Sequence, residues 1–342
     1  MMSATGQART TGRQAIPLLM AKEIFDLVRD DLAKVEQELA LQSGSAFEPV
    51  AEIGSYLLGG GGKRLRPALL LLAAGYSNYQ GTAAIRLGAV VELIHSATLI
   101  HDDVIDGAQL RRGRPSSNAR WGNHMSVLAG DWLYMQAFQM ALTERNFRVL
   151  DLLIELTQNM VEGELLQLTH IGRMDLTEQE ALELSTRKTA CLFSGCARLG
   201  AVLGQQDDLT EQSLAEYGHY SGLAFQLVDD LLDFTASPAQ LGKPVLSDLK
   251  EGKVTLPLIY ALESDGAAGR KLVATVLEEK DFRTVRPEQI TELVIRTGAL
   301  DRARALAHEF AERAKTSLND GANTEYGRAL MSVPDFILAR DS

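Results

Sequence analysis

Cysteine is scarce: Cys191 and Cys196 are the only two among 342 residues. Their spacing matches no zinc-ligand pattern. They read as two reduced core thiols, which fits a reducing cytoplasm, the expected location. A basic excess is also missing. The formal net charge is -11, from 34 Lys and Arg against 45 Asp and Glu. That balance argues against a general nucleic-acid binder, while leaving room for local basic clusters on phosphates. No apolar run reaches the roughly 20 residues that span a bilayer. The most apolar stretch, "PALLLLAAGY", is half of that, so no transmembrane segment is expected. Arg9 and Arg13 sit in a stretch without a hydrophobic segment, so it is not read as a secretory signal. Residues 1–15 read as a disordered tail; their acid-free, Ser/Thr-containing composition is also that of an organellar transit peptide.

Strand signals are sparse as well. Period-2 alternation bounded by turns is rare, and βαβ units are not found. From Ile16 onward the period is helical. "IPLLMAKEIFDLVRDDLAKVEQEL" carries apolar residues three and four apart, with charge on the other face. The same period recurs over 81–105, 125–142, 147–171, 177–205, 211–235 and about 287–338. With no repeat and no Pro-, Gly- or Ser-rich linker, residues 16–342 are predicted to form one all-α domain. At 46% hydrophobic the chain can bury a large core.

Two acid triplets stand out. Asp102, Asp103 and Asp106 end the apolar run "LIHSATLI", and Asp229, Asp230 and Asp233 recur in "FQLVDDLLDF". Residues four apart share a helix face. Carboxylates this close repel, and a hard divalent cation is the usual remedy. A single DDxxD is weak, since surface helices carry such triplets by chance. Two, each closing an apolar helix, predict facing acids around Mg²⁺. General acid–base work would need only a pair.

Each triplet has basic companions. Arg111 and Arg112 follow the first; Lys243 and Lys253 follow the second. Arginine grips phosphate oxygens by twos. "LLGGGGKRLRP" fails as a P-loop, with Arg64 where Ser or Thr is needed. It reads instead as a loop entering a helix, with Pro67 at the first helical position. Lys63, Arg64 and Arg66 then form an anion site at the helix N-terminus.

In order along the chain, "GGKRLRP", "HDDVIDGAQLRRGRP", Lys188–Ala190, "FQLVDDLLDF", "LGKP" and "EGKVTLP" resemble the trans-isoprenyl (polyprenyl) diphosphate synthases. The resemblance runs from about Ile16 to the C-terminus. It implies an isoprenoid-synthase bundle around a deep central cavity, a homodimer, and head-to-tail addition of isopentenyl diphosphate to an allylic diphosphate. It implies Mg²⁺, three ions per site, on Asp102, Asp106, Asp229 and Asp233, with Asp103 and Asp230 assisting. Lys63, Arg66, His95 and Arg112 are similar to the isopentenyl diphosphate site. Arg111, Lys188, Thr189, Gln226, Lys243 and Lys253 are similar to the allylic site. By its residue type alone, His95 on an apolar helix would read as a packed core histidine. The sequence departs from the family at Leu246, where glycine is frequent, and at its end, where Arg340 is the one base.

The growing product should pass Ala97 and Thr98, one turn before Asp102. Both are small where shorter-chain relatives carry an aromatic plug. Ile94, Leu93 and Val90 continue the apolar path. A product of about 35 to 50 carbons, the size of quinone side chains, is the expectation, with Met135 or Phe138 as the floor. Loose membrane association would serve its release. Shorter geranylgeranyl or farnesyl products are the first alternative. A terpene cyclase is a rival that "DDLLD", "GGKRLRP" and "RRGRP" argue against. A non-catalytic or partner-dependent subunit is another, argued against by the intact motifs.

Overall fold

Helices dominate a computed structural model, which describes residues 19–42, 48–58, 64–111, 113–236, 245–318 and 323–340. The fold is all-α. In order the helices are α1 (Ala21–Asp26), α2 (Arg29–Gln42), α3 (Glu48–Leu58), α4 (Leu65–Tyr76), α5 (Ala83–Ile105), α6 (Ser117–Trp121), α7 (Asn123–Leu142), α8 (Phe147–His170) and α9 (Glu178–Ser185). A π turn, Thr186–Ala190, joins α9 to α10 (Cys191–Leu203). Then come α11 (Asp208–Thr235), α12 (Ser247–Lys250), α13 (Leu256–Asp265), α14 (Ala267–Glu279), α15 (Pro287–Arg296), α16 (Ala299–Ser317) and α17 (Glu325–Leu338). Among the described residues the strands are one minimal antiparallel hairpin, Leu110–Arg111 (β1) against Arg114–Pro115 (β2). The expected tail over 1–15 lies outside the described residues.

Polar starts fix where the long helices begin. The Asn146 side chain accepts from the Arg148 and Val149 amides at the head of α8. Asp207 accepts from the Thr210 amide, at 2.8 Å, at the head of α11. Both satisfy donors that a helix N-terminus leaves open. The interior of α4, Pro67 to Ala74, is buried without a break. It packs on α5 and α10, while α11 packs on α10 and α16. The core therefore surrounds α4, α5, α10 and α11, and α11 is tied to α17 where Tyr217 donates its hydroxyl to the Leu330 carbonyl at 2.7 Å.

Two expectations change here. The helix α5, with 23 residues, is long and apolar enough to cross a membrane by length and composition. Reading only uninterrupted apolar runs missed it, because Arg86, Glu92 and His95 break the run. Most of it is buried inside this fold, as a central core helix would be. The second change is at α4, which begins at Leu65, so Pro67 is its third residue and not its first. Arg64 takes the left-handed conformation before it, with φ 46°. Its guanidinium pairs with Glu92 and Glu36, both at 2.5 Å, so it neutralises carboxylates of the chain. Both cysteines are free, and burial pushes each thiol up to about 12, as inert core thiols require.

Candidate active site

The first triplet closes α5. Val90, Leu93, Ile94, Ala97 and Ile100 are buried, which fixes the rotation of the helix. Asp102 and Asp106 then emerge one turn apart on one face. Each acid meets a base. Asp102 stands 3.5 Å from Lys188. Asp106 accepts from Lys253 at 2.8 Å. Asp103, which is buried, accepts from Arg111 Nε at 2.9 Å, with Arg111 presented by the hairpin.

The second triplet closes α11. Asp229 pairs with Arg340 at 2.8 Å. Gln226 Nε2 donates to Asp230 at 2.8 Å, and Gln226 Oε1 accepts from Thr189 Oγ1 at 2.6 Å. Asp233 is buried and faces the chain beyond α11. It accepts from Ser247 Oγ at 3.0 Å and from the amides of Ser247 and Asp248, both at 3.3 Å.

The π turn stitches the two acid-bearing helices together. A Cβ on Gly163 of α8 would lie 2.9 Å from the Lys188 nitrogen, and one on Gly222 of α11 would lie 2.5 Å from Ala190 Cα. Only hydrogen at both positions lets α8 and α11 approach the turn this closely. Lys188 then reaches Asp102 on α5, while Thr189 reaches Gln226 on α11.

The third group is basic and aromatic. Arg66 Nη1 lies 3.0 Å from His95 Nε2. A guanidinium only donates, so that ring nitrogen is the acceptor. Arg66 also lies over the rings of Phe193 and Phe225, at 5.3 and 5.9 Å from their centroids. Arg340 lies 4.4 Å over the same Phe225, the residue before Gln226. Thus Arg66, His95, Thr189, Gln226 and Asp229 share one neighbourhood. Of the other predicted site residues, Lys63, Arg112 and Lys243 lie outside the described residues.

Burial pushes the Asp102 carboxyl up to about 6; Lys188 pulls it down, and Glu164 and Asp106 push it further up. Burial and the neighbouring Asp248 carboxylate hold Asp230 well above the usual carboxylate range. In both, desolvation of the carboxyl comes first and the neighbouring acids add to it.

A model of the polyprenyl synthetase family matches residues 48–294. The chain belongs to this family. It is a prenyltransferase. The polyprenyl synthetase described here is 37% identical to the octaprenyl diphosphate synthase of Escherichia coli (strain K12), across 94% of this chain and 99% of that one. It is 36% identical to heptaprenyl diphosphate synthase component 2 of Geobacillus stearothermophilus, across 91% and 95%. Among solved structures it is similar to a polyprenyl synthase from Caulobacter crescentus CB15 complexed with calcium and isoprenyl diphosphate. The TM-score is 0.90 at 34% identity, over 94% of this chain and 98% of that one.

A divalent cation fits the donors of this polyprenyl synthetase. Asp102, Asp106 and Asp229 offer hard oxygen ligands at the ends of two buried helices. The facing six-acid cluster anticipated from the sequence does not assemble by itself. Among the described residues no three carboxylates, imidazoles or thiols converge as a cage. Like charges repel without a cation between them, so Asp102, Asp103, Asp106 and Asp229 turn to lysines and arginines of the chain, while Asp230 and Asp233 take neutral donors. Asp233 is the most committed, because the Ser247–Asp248 amides already hold it.

The chain-length residues divide. Ala97 is fully buried, and half-buried Thr98 donates its hydroxyl to the His95 carbonyl at 2.7 Å. Phe138 is half-buried against the core. Met135 is a correction: it is 62% exposed, so it cannot floor a cavity inside this chain. The helix α7 presents a second apolar stripe outward, with Leu128 and Leu142 seven residues to either side, and periodicity alone does not say which stripe faces in.

Glu164 and Gln167 escaped the sequence reading, although both hold Lys188. Their signal was two polar residues three apart inside the apolar stretch "EGELLQLTH" of α8. Arg340 was noted as the one terminal base, but its partner Asp229 was not foreseen.

Proposed function

We propose that the protein is a Mg²⁺-dependent synthase of a long all-trans polyprenyl diphosphate, of about 35 to 50 carbons, for a quinone side chain. The observation that carries this reading is the Lys188–Thr189 step. It places an ammonium at one acid motif and a hydroxyl at the other. An allylic diphosphate lying between α5 and α11 would meet Lys188, Arg111 and Lys253 as cationic partners. Such preorganised charge, aimed at a departing anion, is commonly the largest catalytic term. Thr189 and Gln226, hydrogen-bonded to each other, would present oxygen dipoles to the allylic cation. Arg66 and His95 would hold isopentenyl diphosphate, whose double bond attacks that cation before a proton is lost. Asp102, Asp106, Asp229 and Asp233 would hold the metal, which when bound supplies charge neutralisation for the diphosphate.

Product length rests on Ala97 and Thr98, which leave the path beside α5 without an aromatic plug. The names of the octaprenyl and heptaprenyl relatives support a long product. A homodimer is part of the proposal. It rests on exposed Leu128, Met135 and Leu142 on α7 and Phe147, Ile154 and Val161 on α8, a ridge larger than isolated surface residues explain. A cytoplasmic location rests on the two free thiols.

The test is incubation of the purified chain with farnesyl diphosphate, labelled isopentenyl diphosphate and Mg²⁺, followed by sizing of the products. One dominant polyprenol of about 35 to 50 carbons is expected. Products ending at fifteen or twenty carbons would keep the reaction and remove the long-chain assignment. A second reading, turnover only with another chain, is favoured by the name of the component 2 relative. No extension by the chain alone would favour it.

A further inference from the structure

Lys188 is held by more than the acid it would serve. Its ammonium lies 2.5 Å from Glu164 Oε2 and donates to Gln167 Oε1 at 3.1 Å, whereas Asp102 is farther, at 3.5 Å. Glu164 and Gln167 are three apart on α8 and so share a face. Gln167 Nε2 donates to Glu164 Oε1 at 3.0 Å, which fixes both acceptors. Gln167 is buried, and the Glu164 side chain is largely so. The backbone is fixed too, by the close approach of Gly163 to the Lys188 nitrogen. A lysine on four rotatable bonds would otherwise settle on the nearest unshared carboxylate, which here is Asp102.

We propose that Glu164, locked by Gln167, is a positioning residue that keeps the Lys188 ammonium at 3.5 Å from Asp102 and out of a direct hydrogen bond with it, so that the carboxylate stays open to a cation and the ammonium stays open to the allylic diphosphate. This deepens the prenyl-transfer reading and rests on it. A neutral side chain at 164 lets Lys188 collapse onto Asp102. Both the metal and the diphosphate must then break that ion pair before binding. The isopentenyl diphosphate side, at Arg66 and His95, is untouched. A bare carboxylate near a diphosphate would act in the opposite sense, through repulsion, so the direction of the effect is diagnostic.

The experiment uses the full chain and a farnesyl diphosphate analogue with sulfur in the scissile bridge, which binds but ionises slowly. Binding is measured by calorimetry in Mg²⁺, alongside KM for each substrate. Glu164→Gln should weaken analogue binding about tenfold, raise the half-saturating Mg²⁺, and leave KM for isopentenyl diphosphate within about twofold. Glu164→Asp, which keeps the charge, should recover most of the binding. Unchanged or tighter analogue binding in Glu164→Gln overturns the proposal. So does an equal rise of both KM values that Glu164→Asp fails to rescue. If Glu164→Gln does not fold, Gln167→Leu tests the same clamp, with the same selective loss expected and the same results overturning it. Failure of the unsubstituted chain to bind the analogue or extend farnesyl diphosphate would instead overturn the underlying prenyl-transfer reading.

Discussion

Lys253 donates to Asp106 at 2.8 Å, closing a loop of 147 residues between the end of the first acid motif and the loop behind the second. Both side chains are about five-sixths buried. Burial works to lower the Lys253 pKa, but the Asp106 and Glu251 carboxylates outweigh it and hold the ammonium above its ordinary value. Removing Lys253 strands Asp106 in a poorly solvated site, and removing Asp106 leaves the buried ammonium with Glu251 alone. Lys253→Met and Asp106→Asn should each lower stability by about 2 kcal/mol in chelator. The double variant should lose less than their sum, by about 1 kcal/mol. Urea unfolding of the four proteins measures this; strict additivity would mean that the pair is not coupled.

Asp102 gives the metal-free protein a pH dependence. Its carboxyl lies at about 6 when folded against a usual 3.8, raised chiefly by burial. The folded state therefore holds this proton more tightly than the unfolded state. The associated stability is full below about pH 4 and is lost as pH climbs toward 6, on the order of 3 kcal/mol. Asp102→Asn cannot titrate and should not share that loss. In melting curves with chelator, the variant should gain on the unsubstituted protein between pH 4 and pH 7. A constant gap would remove Asp102 as the titrating group.

Ala97→Phe and Met135→Ala should part company. The first fills a fully buried position one turn below Asp102 and should shorten the product. The second trims an exposed side chain and should leave product length alone while weakening self-association. Product sizing together with sedimentation of each variant separates the two; equal chain lengths for Ala97→Phe and the unsubstituted protein would place the tunnel elsewhere.

Leu246 is a leucine in a conformation that favours glycine, with φ 55°, and it is fully buried. Its amide donates to the Asp233 carbonyl at 3.0 Å, just before Ser247 and Asp248 cap the carboxylate. The left-handed backbone costs about 1 kcal/mol, whereas burying leucine contributes about 2 kcal/mol. Burial wins, so Leu246→Gly should destabilise, despite the relief of strain. Leu246→Ala keeps the strain and loses most of the burial, so it should be no more stable than the glycine variant. Thermal unfolding of the pair decides it.

Much of this was legible in the residues. The period of α5, α8 and α11 gave their places within a few positions, and the two triplets fell on helix ends because each follows an apolar run that must stay inside. The exposed stripe of α7 was not legible: Leu128, Met135 and Leu142 look like core until the packing of Ala129, Leu133 and Ala137 is known. Nor were the partners of the acids, since Lys188, Lys253 and Arg340 reach theirs across long separations that no local pattern encodes. Glu164 was hidden for the same reason, as its meaning depends on which residue α8 faces.

The π turn before α10 has a consequence for phase. A π turn accommodates one residue more than an α-helical turn does, and one residue is about 100° of rotation. Everything downstream, from Cys191 to Leu203, is thereby offset from the helix that α9 alone would continue. Lys188 and Thr189 are adjacent in the chain, so they point about 100° apart as neighbours on a helix do, and the register of the turn sets which wall each addresses. Deleting a single residue between Thr186 and Ala190 would not merely shorten a loop. It would turn one of the two side chains away from its wall while leaving every motif in the sequence intact.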